Sequence, residues 1–141
     1  MPDLDRFHKA QEDSYAKALA ELKAGRKTSH WIWFTLPQLA SLGRSATARY
    51  YGIADLDEAR AYLADPVLHG RLLACADAIL LHEDQSVEAI LGPVDALKTR
   101  SCVTLFRAAD PGGPIGLRMQ AILDRYYDGM ACPLTLAEIS G

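Results

Sequence analysis

Between Leu4 and Ala24 the apolar positions return every three or four residues. Leu4, Phe7, Tyr15, Ala18 and Leu22 share one stripe, and Gln11 stands among them. That spacing is one face of an amphipathic helix. Asp3 or Asp5 is placed to cap its start, and Gly25 stands where a left-handed residue closes a helix. Gln11 is the odd member of the stripe. A buried amide needs partners for its donors and its acceptor, so Gln11 either ties down a neighbouring backbone or faces a ligand.

The next segment, R-K-T-S-H-W-I-W-F-T-L-P-Q at 26 to 38, mixes two tryptophans with polar residues. Pro37 removes an amide donor and disfavours helix at Leu36. Five residues, H-W-I-W-F, fit a short helix or a short strand. No other segment offers a partner strand, so the surroundings favour a short helix. Residues 41 to 54 are rich in Gly, Ser and Thr and read as a loop with one helical turn near Ser45 to Tyr50.

Asp55 opens a helix through about Ala64, with Asp57 and Glu58 in the first turn, where the helix dipole favours them. Asp65-Pro66 restarts the helix pattern. This helix runs to about His82, with Leu68, Leu72, Ala76, Ile79 and Leu80 inward. Ser86 caps a short helix that ends at Gly92. Pro93 begins another, to about Ala108, whose apolar stripe is Val94, Leu97, Leu105 and Ala108. Helical spacing puts Ser101 and Thr104 on that stripe and Lys98 at its edge. After the P-G-G-P turn at 111 to 114, a helix from about Ile115 to Asp128 points Ile115, Met119, Ile122, Leu123 and Tyr126 inward. Thr135 and Glu138 have capping-box spacing and predict a last helical turn. No segment alternates with period two for long. The pattern predicts an all-α chain, a single multihelical globular domain over 1–141.

Composition agrees. The 141 residues, half of them apolar and 23% charged, suffice for one domain with a core that needs no metal or disulfide. Net charge is −3 and the pI about 5.7, and the basic residues are scattered. Nucleic-acid binding calls for clustered Lys and Arg, so no nucleic-acid partner is expected. No apolar run approaches the ~20 residues that span a bilayer, so no membrane partner is expected. Cys75, Cys102 and Cys132 are odd in number with no CxxC spacing, which reads as reduced thiols. With a start that is charged from the third residue, they lead to the expectation of a cytoplasmic protein.

Sequence signatures of catalysis are missing. A-G-R-K-T lacks the phosphate-loop spacing, and neither GxGxxG nor GxSxG occurs. No cofactor is called for. His8, His30, His69 and His82 have no HExxH spacing. His82-Glu83-Asp84 is metal-like only in composition, and a solvated helix end is the better reading, so no metal is expected. Cys102 reads as a buried inert thiol.

What remains is a constellation of polar or half-polar residues on or beside apolar stripes: Gln11, Tyr15, Lys27, Ser29, His30, Trp31, Trp33, Gln38, Lys98, Ser101 and Thr104. Two accounts stand. These groups hydrogen-bond one another and cap loops, with the tryptophans in the core or at its rim. Or three helical segments converge on an apolar pocket with a few polar groups, the usual make-up of a ligand site. In the second account Lys98 and Lys27 take an anion such as phosphate, and a Trp face stacks a ring.

The segments R-F-H-K-A-Q-E-D-S-Y, G-R-K-T-S-H-W-I-W-F-T-L-P-Q-L, E-A-R-A-Y-L-A-D-P-V-L and D-A-L-K-T-R-S-C-V-T-L-F resemble the bacterial family called domain of unknown function 1810. The resemblance covers nearly the whole chain, and H-W-x-W-F-x-x-P-Q-L is its most specific part. Some members carry the name calpastatin, yet nothing here resembles a disordered calpain-inhibitor repeat. The resemblance implies a multihelical domain and no established activity. The family pattern falls on Gln11, Tyr15, Lys27, His30, Trp31, Trp33, Pro37, Gln38, Lys98, Ser101, Thr104 and Phe106, and so overlaps the constellation. The chain departs from it at Ala131-Cys132, where a more polar residue is expected. A looser similarity is to YbiA-like domains that handle ADP-ribose and related N-glycosides. It would imply cleavage of an N-glycosidic bond, but no carboxylate stands out as the general base.

Three functions follow as expectations. The first is binding of a nucleotide-like or phosphorylated small molecule in a Trp/Lys/Gln-lined pocket. The second is an N-glycosidic hydrolase acting on ADP-ribose-like nucleotides. The third is a small protein-interaction module that presents Trp31 and Trp33 on an apolar patch.

Overall fold

The computed structural model describes residues 4–140. Among them the chain forms α1 (Asp5–Ala24), α2 (Ile32–Thr35), α3 (Ala46–Tyr50), α4 (Leu56–Ala64), α5 (Pro66–Ile79), α6 (Val87–Leu91), α7 (Pro93–Ala109), α8 (Pro114–Tyr126) and α9 (Pro133–Ser140). A 3₁₀ turn spans Ala40–Leu42. The domain is all-α. The nearest approach to a sheet is one parallel bridge, in which Ala40 N donates to Ile53 O and Ile53 N to Gln38 O, both at 2.8 Å.

The boundaries follow from capping. Ser45, Asp55, Asp65 and Ser86 each accept hydrogen bonds from the first turn of the helix they precede. Pro66, Pro93 and Pro114 fill first-turn positions where no amide donor is needed. Gly25, at φ 77°, closes α1 by donating to Glu21 O and Leu22 O. Asp110 Oδ2 accepts from Ile115 N and Gly116 N and so sets the start of α8.

Several expectations are corrected. The N-cap position of α1 is Leu4, with no side-chain cap; Asp5 lies in the first turn and Asp3 outside the described residues. Helix α5 stops at Ile79, and Tyr126 Oη donates to the carbonyl of this last residue and to that of His82 beyond it. Helix α8 stops at Tyr126, and Asp128 and Gly129 follow with positive φ. Thr135 is no cap. It is buried in the first turn of α9, and its Oγ1 lies 2.7 Å from Ser101 Oγ.

The largest correction concerns α7, the helix against which α4, α6, α8 and α9 pack. Val94 and Leu97 are 64% and 68% exposed. The buried side runs instead through Ala96, Thr99, Cys102, Val103 and Phe106, joined by Ser101, Thr104 and Leu105. Small and hydroxyl-bearing residues thus share this buried side with Val103, Leu105 and Phe106. Of the expected stripe, Leu105 and the Ser101 and Thr104 placed on it are buried, whereas Val94 and Leu97 are not.

Candidate functional site

The predicted residues divide among three places. The first is a clamp between α1 and α2. Gln11 Nε2 donates to Phe34 O at 2.6 Å and to Tyr62 Oη at 3.1 Å, and Arg71 donates to Gln11 Oε1 at 3.4 Å. Both amide protons and the amide oxygen are engaged, so Gln11 ties down backbone as one branch of the sequence reading expects. Tyr15 is half-buried under the Arg71 guanidinium, 5.1 Å from its ring centre, and burial holds its phenol above the ordinary value.

The second place is the α7–α9 seam. Besides the Ser101–Thr135 pair, Thr104 Oγ1 donates to Arg100 O at 2.8 Å and accepts from Cys132 N at 2.9 Å. Arg100 donates to Met130 O and Ala131 O. The loop containing Ala131-Cys132 is therefore held by main-chain groups, which do not depend on the identity of its side chains.

The third place gathers the remaining residues around α2 and the start of α7. Trp31 is buried, and its Nε1 donates to Glu21 Oε1 at 3.0 Å. Lys27 is 2.7 Å from Asp95 Oδ2, donates to Ser29 O at 2.5 Å and lies 5.0 Å from the Trp31 ring centre. Lys98 lies 4.0 Å from Asp95 Oδ1 and 5.4 Å from the ring centre of half-buried Trp33. Ile32, Trp33, Leu36, Gln38, Ala48 and Lys98 line a small cleft here of about 10 Å³, the room of one water. Among the described residues, the Lys98 ammonium and the Gln38 amide have no hydrogen-bond partner. His30 is exposed beside this region.

The chemistry-bearing residues that sequence reasoning missed are Glu21 and Asp95. Asp95 is three residues before Lys98, a helical ion-pair spacing that a scan of charges would find. Glu21 has no such signal, since its partners Thr28, Ser29 and Trp31 lie in the loop that leads into α2. A larger cavity of about 270 Å³, lined by Leu39, Ser41, Asp55, Asp57, Glu138 and Ile139 among others, contains none of the predicted residues.

A family model described as a protein of unknown function, DUF1810, matches residues 1–139. The chain belongs to the DUF1810 family. It is also similar to the conserved hypothetical protein Rv1873 from Mycobacterium tuberculosis, whose crystal structure superposes with a TM-score of 0.94. The two are 41% identical over 99% of this chain and 97% of that one. No curated protein matches the sequence. Neither finding supports the looser YbiA similarity.

Within this DUF1810 chain the third place differs chemically from the other two. The Gln11 clamp and the α7–α9 seam use their polar atoms internally. At the Lys98–Gln38 cleft the ammonium has, among the described residues, no closer polar contact than Asp95 Oδ1 at 4.0 Å and lies 5.4 Å from the Trp33 ring centre. Among the described residues no group of three or more His, Cys, Asp or Glu is arranged to hold a metal ion. Among the same residues no helix is long and apolar enough to cross a membrane.

Proposed function

We propose that the chain binds a phosphorylated, nucleotide-like small molecule at the cleft of Trp33, Gln38 and Lys98. The observation that carries this reading is the Lys98 ammonium. It lies over the Trp33 ring at 5.4 Å with no acceptor at hydrogen-bond distance. An ammonium is a strong point-charge ligand for phosphate, the Gln38 amide can add a donor, and the indole supplies an apolar wall. The cleft has room for one water, so the ligand lies across its mouth with its phosphate against Lys98. Gln11, Ser101 and Thr104 act at a distance, by fixing the helices that form it. Asp95 is the carboxylate nearest Lys98, and it is already paired with Lys27. A hydrolase would need it as a base, and that reading draws no support from the pair.

The test is a thermal-shift screen against nucleotides, ADP-ribose, NAD and sugar phosphates, on the wild type and Lys98→Ala. A ligand at 100 times its dissociation constant stabilises by about 2.7 kcal/mol, several degrees for a domain of this size. Shifts that vanish in Lys98→Ala support the reading. No shift with any compound overturns it.

A second reading, a protein-interaction module, is favoured by a different surface. Val94 and Leu97 stand exposed on one helix, α7, at 64% and 68%, an apolar surface of the kind a partner protein covers. Trp31 takes no part in it, being buried.

A further inference from the structure

We infer that Lys27 is a positioning residue for the cleft: by holding Asp95, it keeps the Lys98 ammonium open to an anion. The inference rests on the ligand reading above and names how that site is kept ready.

Asp95 stands in the first turn of α7 with its carboxylate between two ammonium groups. Oδ2 is 2.7 Å from Lys27 and Oδ1 is 4.0 Å from Lys98. The two lysines differ in surroundings. The Lys27 side chain is 7% exposed, and the Ser29 carbonyl and the Trp31 ring also fix its ammonium. The Lys98 side chain is 29% exposed. A close pair with one partner withdrawn from water is screened little, so Asp95 is drawn to Lys27. The i,i+3 spacing of Asp95 and Lys98 would otherwise bring them into contact, as such pairs do on helices. Take Lys27 away, and the nearest cation left to Asp95 is Lys98. The contact pair then closes, and an incoming phosphate must displace a carboxylate instead of meeting an open ammonium.

The test reads Lys98 itself. The ligand-free protein is treated with a water-soluble amine-acylating ester, and modification is followed residue by residue by mass spectrometry. Exposed Lys17 and Lys23 serve as internal controls. Lys27→Met should slow acylation of Lys98 about fivefold, the factor that an ion pair of ordinary strength corresponds to. The double variant Lys27→Met/Asp95→Asn should restore the wild-type rate. A wild-type rate in Lys27→Met, or a slow rate that persists in the double variant, overturns the inference. If Lys27→Met fails to fold, Asp95→Asn alone decides: Lys98 should react at least as fast as in the wild type, and a slower rate overturns the inference.

Binding of inorganic phosphate and of AMP by calorimetry is the second arm. Lys27→Met should weaken binding about fivefold and the double variant recover it, again the factor of one ordinary ion pair. A wild type that binds neither probe counts against the ligand reading, while the acylation rates still decide whether Lys27 holds Asp95 away from Lys98.

Discussion

Trp31 Nε1 donates to Glu21 Oε1 at 3.0 Å, and the same oxygen accepts from Thr28 N at 2.7 Å and Ser29 N at 2.9 Å. One carboxylate near the end of α1 thus organises the loop into α2 and fixes the indole in the core. Burial by itself would raise the Glu21 pKa. Hydrogen bonds from Ser29, Thr28 and Trp31 outweigh burial and hold it at about 2, against an ordinary 4.5.

A depressed folded pKa sets the sign of a pH effect. The Glu21 contribution is fully present above about 4.5 and is lost as pH falls toward 2. Glu21→Gln should cost about 2 kcal/mol at neutral pH, since charged hydrogen bonds are lost. In urea titrations at pH 7, 4 and 3 the gap between wild type and variant should narrow as pH falls. A gap independent of pH would mean that the charge on Glu21 contributes nothing.

Gln11 provides a second test. Its replacement by Ala leaves Phe34 O, Tyr62 Oη and the Arg71 guanidinium short of a partner. Stranded buried groups of this kind cost about 1–3 kcal/mol, several degrees of Tm for a domain of this size. An unchanged Tm would show that the amide is not structural.

The helices were legible in the sequence because their ends carry local chemistry. Ser45, Asp55, Asp65-Pro66, Ser86 and Pro93 mark starts that capping physics makes readable. The packing faces were less legible. In α1 the stripe of Phe7, Gln11, Ala18 and Leu22 is buried as periodicity predicts. In α7 helical spacing places Ser101, Thr104 and Leu105 inward as observed, but it also puts the exposed Val94 and Leu97 there and passes over Thr99. The constellation was legible as a set of residues. Its division into a clamp, a seam and a cleft was not, because it depends on long-range partners such as Phe34 for Gln11 and Thr135 for Ser101.

Thiol reactivity should separate the three cysteines. Cys75 and Cys102 are buried, and burial pushes both thiols up, Cys75 to about 12. Only the thiolate reacts readily with alkylating reagents. Cys132 is partly exposed and should be modified first, one adduct per chain in native protein, with the other two following only on unfolding. Rapid native labelling at Cys102 would contradict its burial.

Two glycines should respond in opposite ways to alanine. A Cβ on Gly52 would come within 2.3 Å of Ala40 Cα, where the lone bridge brings two backbones together. Gly52→Ala must push that contact apart and should cost about 2 kcal/mol or more, as overpacking does. A Cβ on Gly70 meets nothing within 4 Å, inside helix α5. Gly70→Ala should raise stability by about 0.5–1 kcal/mol through helix propensity and a less flexible unfolded chain. Equal Tm values for the two variants would sink the close-approach argument.

The face of α7 is open to the most direct check. Leu97 and Leu105 are the same residue type on one helix, eight positions apart, and periodicity alone assigns both to the core. Leu97 is 68% exposed and Leu105 fully buried. Leu105→Ala removes buried methyl groups and leaves a cavity, at a cost of about 2–5 kcal/mol. Leu97→Ala removes little that is shielded from water, and its effect should stay within about 0.5 kcal/mol. Chemical denaturation of both variants gives the comparison. Equal losses would restore the Val94–Leu97 stripe to the core and move Lys98, one residue on, away from the cleft mouth.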